Sequence, residues 1–327
     1  MYIEELKFSL WADFIERDFI TTGLRRYIQE GIVNGATSNP AIFKNAILNS
    51  EAYKKQLQGL RHVTPKARYE AVAIDDIRAA ADELRSLYNR GDSGYVSIEV
   101  DPFLCDDATA TLEEAKRLYR DIDRPNVMIK VPATTAGYDA MEALVAAGIA
   151  VNATLIFKME QALECLNAFK RGIEKSSQSV DTVISIFVSR IDRALDDTLR
   201  SNGIAPLQAG IYNASRIYAA IEAAQVPKCR ALFASTGVKG KSPQASYYIE
   251  QMLAPNSVNT APLDAIDAYV TTSVREARLP VDADEVNRFF ASIEHAGIDF
   301  DALLQQQIDE GLEAFKAAFQ EILDTLQ

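Results

Sequence analysis

The chain has 327 residues, 48% of them hydrophobic, with 34 basic against 46 acidic side chains and a formal net charge of −12. That is enough apolar material to bury a substantial core, which excludes a disordered chain. The negative balance works against nucleic acid or an anionic membrane as a partner, because phosphate backbones and headgroups need clustered Lys and Arg, so an anionic small substrate would require a local basic pocket.

Short runs rich in Val, Ile and Phe alternate with longer amphipathic stretches. In chain order they begin with FSLWAD (8–13) and GATSN (35–39), followed by a helical stretch from Ala67 to Tyr88 that sets Val72, Ile77, Leu84 and Leu87 among charged residues. YVSIEVD (95–101), a helix over Leu112 to Tyr119, VMIKVP (127–132), AVNATLIF (150–157), TVISIFVS (182–189), ALFAST (231–236) and a weaker NSVNTA (256–261) come next. Leu263 to Arg275, Asp282 to His295 and Phe300 to Leu326 read as closing helices. Eight strands separated by helices predict an α/β fold, a single (β/α)8 TIM barrel over residues 1–327 with extra terminal helices. No linker divides the chain, although KSSQSVD (175–181) and KGKSPQ (239–244) read as polar loops. An open doubly wound sheet is the competing architecture, but the G-x-G-x-x-G that would cradle a dinucleotide is absent.

Alternate side chains along a strand face opposite ways. One face carries Leu10/Ala12, Ile98/Val100, Ile129/Val131, Val151/Ala153/Leu155 and Ile184/Ile186/Val188, suited to packing beneath helices. The other carries Ser9/Asp13, Thr37/Asn39, Ser97/Glu99, Lys130, Asn152/Thr154, Ser185/Phe187 and Ser235. Barrel enzymes assemble their sites from the C-terminal ends of several strands, so these polar sets are expected to converge on one pocket. Ser97 or Ser185 alone is more readily explained as satisfying a backbone group. Seven runs with the same arrangement, including a lysine and two carboxylates, are not.

Lys130 is the sharpest signal. An ammonium inside an apolar strand is costly, the cost is relieved by losing the proton, and a neutral amine is a nucleophile toward a carbonyl. An ion pair with Glu99 or Asp13 is the competing account. Pro132, Thr134 and Thr135 follow immediately and open toward a polar helix start, leaving space for a carbonyl substrate. Schiff-base chemistry needs proton carriers, and Asp13 and Glu99 are the candidates.

Only His62 and His295 are present, neither at a predicted strand end, which disfavours a Ser-His-Asp triad or a histidine-ligated metal. A carboxylate-only magnesium site at Glu99 and Asp101 stays open as an alternative, made less attractive by the neighbouring lysine. Arg190, ending IFVSR, and ASTGVKGKS (234–242) suggest phosphate recognition, with Lys239 or Lys241 adding charge. An ion pair with Asp192 is the competing account of Arg190. Gly240-Lys241-Ser242 imitates the end of a P-loop, but Ser235 stands where its first glycine is required.

Cys105, Cys165 and Cys229 are widely spaced and form no CxxC pair, which suits buried thiols in a reducing cytoplasm. MYIEELKFSLWAD lacks the features of a secretory signal, and the most apolar segment, 143–157, is interrupted by Gly148, Asn152 and Thr154 and falls short of the roughly 20 residues of a membrane helix. A soluble cytoplasmic protein is expected.

Through GATSNPAIF (35–43), SIEVDP (97–102), VMIKVPAT (127–134), VNATLIF (151–157), SIFVSRID (185–192) and FASTG (233–237), the chain resembles the transaldolase family from roughly Asp13 to residue 262. The resemblance implies transfer of a dihydroxyacetone unit from a ketose phosphate (sedoheptulose 7-phosphate or fructose 6-phosphate) to an aldose phosphate (glyceraldehyde 3-phosphate or erythrose 4-phosphate). No metal or organic cofactor is implied, and a monomer or homodimer is expected. It makes Lys130 the Schiff-base nucleophile, Asp13 the acid/base for carbon–carbon cleavage, and Glu99 with Thr154 the pair that orients water. Asn39 and Asn152 would hold the adduct, Ser185 and Phe187 would line the pocket, and Arg190 and Ser235 would bind phosphate. Many relatives have an arginine two positions after the serine matching Ser235. This chain has Gly237 there, which assigns the charge to Lys239. Thr236 is a second local difference, and Ser189 stands where glycine is common. Two other readings use the same barrel: an aldolase releasing free dihydroxyacetone, and a sugar-phosphate sensor without chemistry.

Overall fold

The computed structural model describes residues 2–327 except 177, 179, 241 and 242. Eight parallel strands close on themselves: β2 (Phe8–Ala12), β3 (Gly35–Thr37), β4 (Tyr95–Glu99), β5 (Val127–Pro132), β6 (Val151–Ile156), β7 (Thr182–Phe187), β8 (Cys229–Ala234) and β9 (Ser257–Ala261). Each strand pairs with the next, and β9 returns to β2 in the register Trp11 opposite Thr260 and Ala12 opposite Ala261. The two-residue strand β1 (Tyr2–Ile3) adds antiparallel to β2. The expected (β/α)8 barrel is therefore the fold, and all eight expected strands are present.

The helices begin where side chains can satisfy the free N–H groups of a first turn. Thr64 caps Pro65–Asn89 by accepting from Ala67 N–H, with proline at the helix start. Asp282 caps Ala283–His295, and Asp299 caps Phe300–Thr325. Val72, Ile77 and Leu84 are fully buried against the barrel, as their spacing implies. The helix expected over 263–275 stops at Val270. There the hydroxyls of Thr271 and Thr272 bond to the Ala268 and Tyr269 carbonyls, and the chain runs on irregularly to Asp282.

Two apolar layers result. Leu10, Ala36, Ile98, Ile129, Ala153, Ile184 and Phe233 pack outward beneath the helices. Trp11, Met128, Val183, Leu232 and Val258 fill the barrel interior. Leu155 departs from the expected face. A bulge between Ala153 and Ile156 puts it at φ 60°, and it packs with the interior set, including Phe157 and Phe187. Ser9 shares the inward parity but lies toward the N-terminal end, bonded to Asn34 and Arg230. No described helix is long and apolar enough to cross a membrane.

Candidate active site

At the C-terminal mouth a cavity of about 150 Å3 is lined by Asp13, Thr37, Asn39, Lys130, Asn152, Ser185, Phe187, Arg190, Ser235, Thr260 and Phe315, among others. A larger cavity, about 740 Å3, has Trp11, Tyr95, Met128 and Arg230 in its wall, and none of the polar strand-end groups opens into it. Asp13, Thr37, Asn39, Lys130, Asn152, Ser185, Phe187 and Ser235 of the expected polar face thus meet at the smaller cavity, whereas Ser9, Ser97, Glu99 and Thr154 are not among the residues lining it.

Lys130 sits in strand register with Glu99 on one side and Asn152 on the other. Its Nζ lies 3.4 Å from Glu99 Oε2 and 3.4 Å from the Ser38 carbonyl, and 5.5 Å from the Phe315 ring centroid. The Glu99 contact is longer than the roughly 2.7–2.9 Å of a tight charge-assisted hydrogen bond. Lys66, by contrast, is clamped at 2.7 and 2.5 Å between Asp101 and Glu114. Asp101 is thereby turned to Lys66 rather than joined with Glu99, so the two carboxylates form no common cation site.

Neither Glu99 oxygen has a hydrogen-bond partner, and burial pushes its carboxyl up to about 7 against the lowering pull of Lys130. The Thr154 hydroxyl, on the bulged strand, is also buried without a partner. Asp13 follows β2. Burial raises its carboxyl above the usual range, while Lys130 and a 2.6 Å hydrogen bond from the Thr37 hydroxyl pull the other way. Thr37 in turn lies 2.6 Å from the Thr260 hydroxyl.

The two amides are oriented by local structure. Asn39 caps the helix Pro40–Asn49, its Oδ1 accepting from Ile42 N–H at 3.0 Å, which leaves the amide nitrogen as the group to offer the cavity. Asn152 accepts from the Ser185 hydroxyl at 2.6 Å and donates to the Ser97 hydroxyl at 3.1 Å. Ser97 and Ser185 therefore fix one amide, as the structural reading of single serines anticipates, and Ser185 also lines the cavity.

Phe187 stacks on Phe157, with ring centroids 5.2 Å apart, and carries the Arg190 guanidinium 5.4 Å from its own centroid. Arg190 makes no ion pair with Asp192, which is buried and instead accepts from Gly210 N–H and the Tyr248 hydroxyl. Ser235 holds a left-handed φ of 54°, an unfavourable conformation kept at the cavity wall. Thr236 is buried and bonded to Asn259 Oδ1 and the Thr260 carbonyl, tying the loop after β8 to β9. A Cβ at Gly237 would lie 2.8 Å from Pro262 Cγ, so a side chain there meets the proline ring.

Lys239 is exposed and is not among the residues that line the cavity. Lys241 and Ser242, on which the other phosphate assignment and the P-loop likeness rest, lie outside the described residues. His62 is exposed, as is His295 at the end of its helix. Cys105, Cys165 and Cys229 are free and buried.

Thr260 and Phe315 were not singled out from the sequence. Reading parity through the weaker eighth run would have found Thr260, since it stands opposite Trp11, two residues before Asp13. Phe315 lies on Phe300–Thr325 and reaches Lys130 only because that helix crosses to the barrel mouth. No local signal marks it.

The closed barrel and the ionisable groups at its C-terminal mouth place the protein in the class of (β/α)8-barrel enzymes. A family profile described as Transaldolase/Fructose-6-phosphate aldolase matches residues 10–326. Relatives named Transaldolase are 44% identical in Campylobacter jejuni subsp. jejuni serotype O:23/36 (strain 81-176), over 98% of this chain and 99% of that protein, and 41% identical in Helicobacter pylori (strain P12), over 97% and 98%. The chain belongs to the transaldolase/fructose-6-phosphate aldolase family, and it is an enzyme of the transferase kind.

Proposed function

We propose that the protein moves a dihydroxyacetone unit from sedoheptulose 7-phosphate or fructose 6-phosphate to glyceraldehyde 3-phosphate or erythrose 4-phosphate, through a Schiff base on Lys130. The observation that carries this is that Lys130 lines a small cavity together with Asp13, its Nζ 3.4 Å from Glu99 and without the tight clamp that holds Lys66. In this reading the amine adds to the ketose carbonyl, and water leaves from the carbinolamine to give the iminium. Asp13 then takes the proton of the C4 hydroxyl as the C3–C4 bond breaks. The electron pair passes into the iminium, the aldose phosphate departs, and an enamine remains.

Asn39 and Asn152 hold the hydroxyls of this enamine until an acceptor aldehyde arrives, and Asp13 returns its proton to the new alkoxide. Glu99 and Thr154 handle the water: a buried oxygen without a partner costs about 1–3 kcal/mol, and a water between them satisfies both while adding to or leaving the C2 carbon. Arg190 and Ser235 receive the phosphate. Free buried cysteines fit a reducing cytoplasm, where we place the enzyme.

Intact-mass spectrometry after incubation with fructose 6-phosphate and borohydride, followed by peptide mapping, tests the reading. A reduced three-carbon adduct on Lys130 is expected. A folded protein without any adduct would overturn it.

A further inference from the structure

The helix Ser189–Ser201 starts with two arginines in its first turns, Arg190 and Arg193. Cations are disfavoured at a helix N-terminus, where the backbone already carries partial positive charge, unless an anion is brought there. Among the described residues the acids of the same helix form no ion pair with them, although the Asp192 charge favours the Arg193 cation. Asp192 accepts from Gly210 N–H and the Tyr248 hydroxyl; Asp196 accepts from Leu207 N–H and lies 3.6 Å from Arg200; Asp197 lies 2.8 Å from Arg200. Burial and mutual repulsion hold the Arg190 guanidinium below its ordinary value, and burial does the same for Arg193.

Arg193 is nonetheless held in place. Its Nη1 donates to the Ser189 hydroxyl at 2.6 Å, and Ser189 Oγ lies 3.1 Å from Ser235 Oγ on the cavity wall. Ser189 is buried and is linked to Ser235 a second time, its N–H bonding the Ser235 carbonyl. A hydroxyl at position 189 thus tethers the Arg193 guanidinium beside the serine that faces the cavity. A side chain at Gly237 would meet the Pro262 ring, and neither Lys239 nor Arg193 is itself among the residues lining the cavity, but Arg193 is tied to its wall through Ser189.

We propose that Arg193, positioned by Ser189, is the second guanidinium of the phosphate cradle, opposite Arg190 across Ser235. This rests on the reading of that wall as a phosphate site. The assignment gives the substrate specificity a physical basis: a phosphate monoester bridges Arg190, the Ser235 hydroxyl and Arg193, and an unphosphorylated sugar cannot make that bridge.

The full-length variants Arg193→Met, Ser189→Gly and Arg190→Met are compared with the wild type by KM and kcat for fructose 6-phosphate and by competitive inhibition with inorganic phosphate, after their folding is checked by thermal melts. Arg193→Met is expected to raise KM and the phosphate inhibition constant together by roughly tenfold, the scale of one lost charge-assisted hydrogen bond, with kcat falling less than threefold. Ser189→Gly should move both constants the same way by a smaller factor. KM and phosphate inhibition within twofold of wild type in Arg193→Met, with both lost in Arg190→Met, would overturn the Arg193 assignment alone. If phosphate does not inhibit the wild type and Arg190→Met leaves KM unchanged, the phosphate reading of the wall fails as well.

Discussion

Glu99 Oε2 stands 3.4 Å from Lys130 Nζ on the neighbouring strand, and Glu99 has no other polar partner. The carboxylate is thus committed to the lysine by charge but not locked to it by geometry, which leaves room for a reacting molecule to enter between strand ends. Replacing Glu99 by Gln should lower kcat/KM by about 10²-fold or more, the usual contribution of one acid/base group. The wild-type rate should rise with pH through about 7, where burial has moved the Glu99 carboxyl, and this rise should disappear from the residual rate of the variant. An unchanged pH profile would remove Glu99 from the proton-transfer steps.

The same shift predicts a stability difference of opposite sense. The Glu99 pKa is raised on folding from 4.5 to about 7, so the native state holds a proton that the unfolded chain gives up in that window. The stability this proton contributes is present below the unfolded value and lost as pH rises through 7. Glu99→Gln should therefore gain in thermal stability relative to wild type on going from pH 4 to pH 8. Melting curves at the two pH values check it; a difference independent of pH would contradict the shift.

Asp13 is reached by the Thr37 hydroxyl at 2.6 Å. Asp13→Asn should stop the chemistry after imine formation, cutting turnover by about 10²–10⁴-fold while leaving the lysine able to react. Borohydride trapping with fructose 6-phosphate should then give a six-carbon adduct in place of the three-carbon one. A three-carbon adduct at the wild-type rate would show that another group takes the hydroxyl proton.

Phe315 is buried and lies 5.5 Å from Lys130 Nζ. Phe315→Ala should cost about 3–5 kcal/mol of stability and open the mouth to water. Release of dihydroxyacetone from fructose 6-phosphate without an acceptor should be slow for the wild type and faster for the variant. Rapid release by the wild type would favour the aldolase reading over the transferase one.

Gly311 lies on the same helix, where a Cβ would come 3.0 Å from Leu155 Cδ2 and 3.4 Å from Arg190 Nη1. Gly311→Ala gains about 1 kcal/mol of helix propensity, which the crowding offsets, so stability should change little. KM for fructose 6-phosphate should rise several-fold as Arg190 is displaced. A more stable variant with the wild-type KM would show that Leu155 alone absorbs the added methyl group.

The parity of the strands was legible because a buried β-barrel demands apolar groups outward at every second position, and Ile98, Ile129 and Ile184 supply them. That alternation also exposed Lys130, Glu99 and Asn152 as the residues that break it. Leu155 was misread because a bulge inserts one extra residue and reverses parity beyond it, and nothing in VNATLIF marks the insertion. Phe315 is hidden for a different reason: it acts across a helix–barrel contact, and an amphipathic pattern tells which face is buried without telling what it is buried against. The choice of Lys239 follows in the sequence from Gly237 standing where many relatives have an arginine; Lys239 is exposed and is not among the residues that line the cavity.

The helix that carries Phe315 follows the last barrel strand in the chain, so during synthesis the lysine and its carboxylates emerge well before the ring that covers them. On the proposed Schiff-base reading, a ribosome-bound barrel acquires its amine before it can shelter a bound carbon fragment from solvent, and order of translation separates capture from retention.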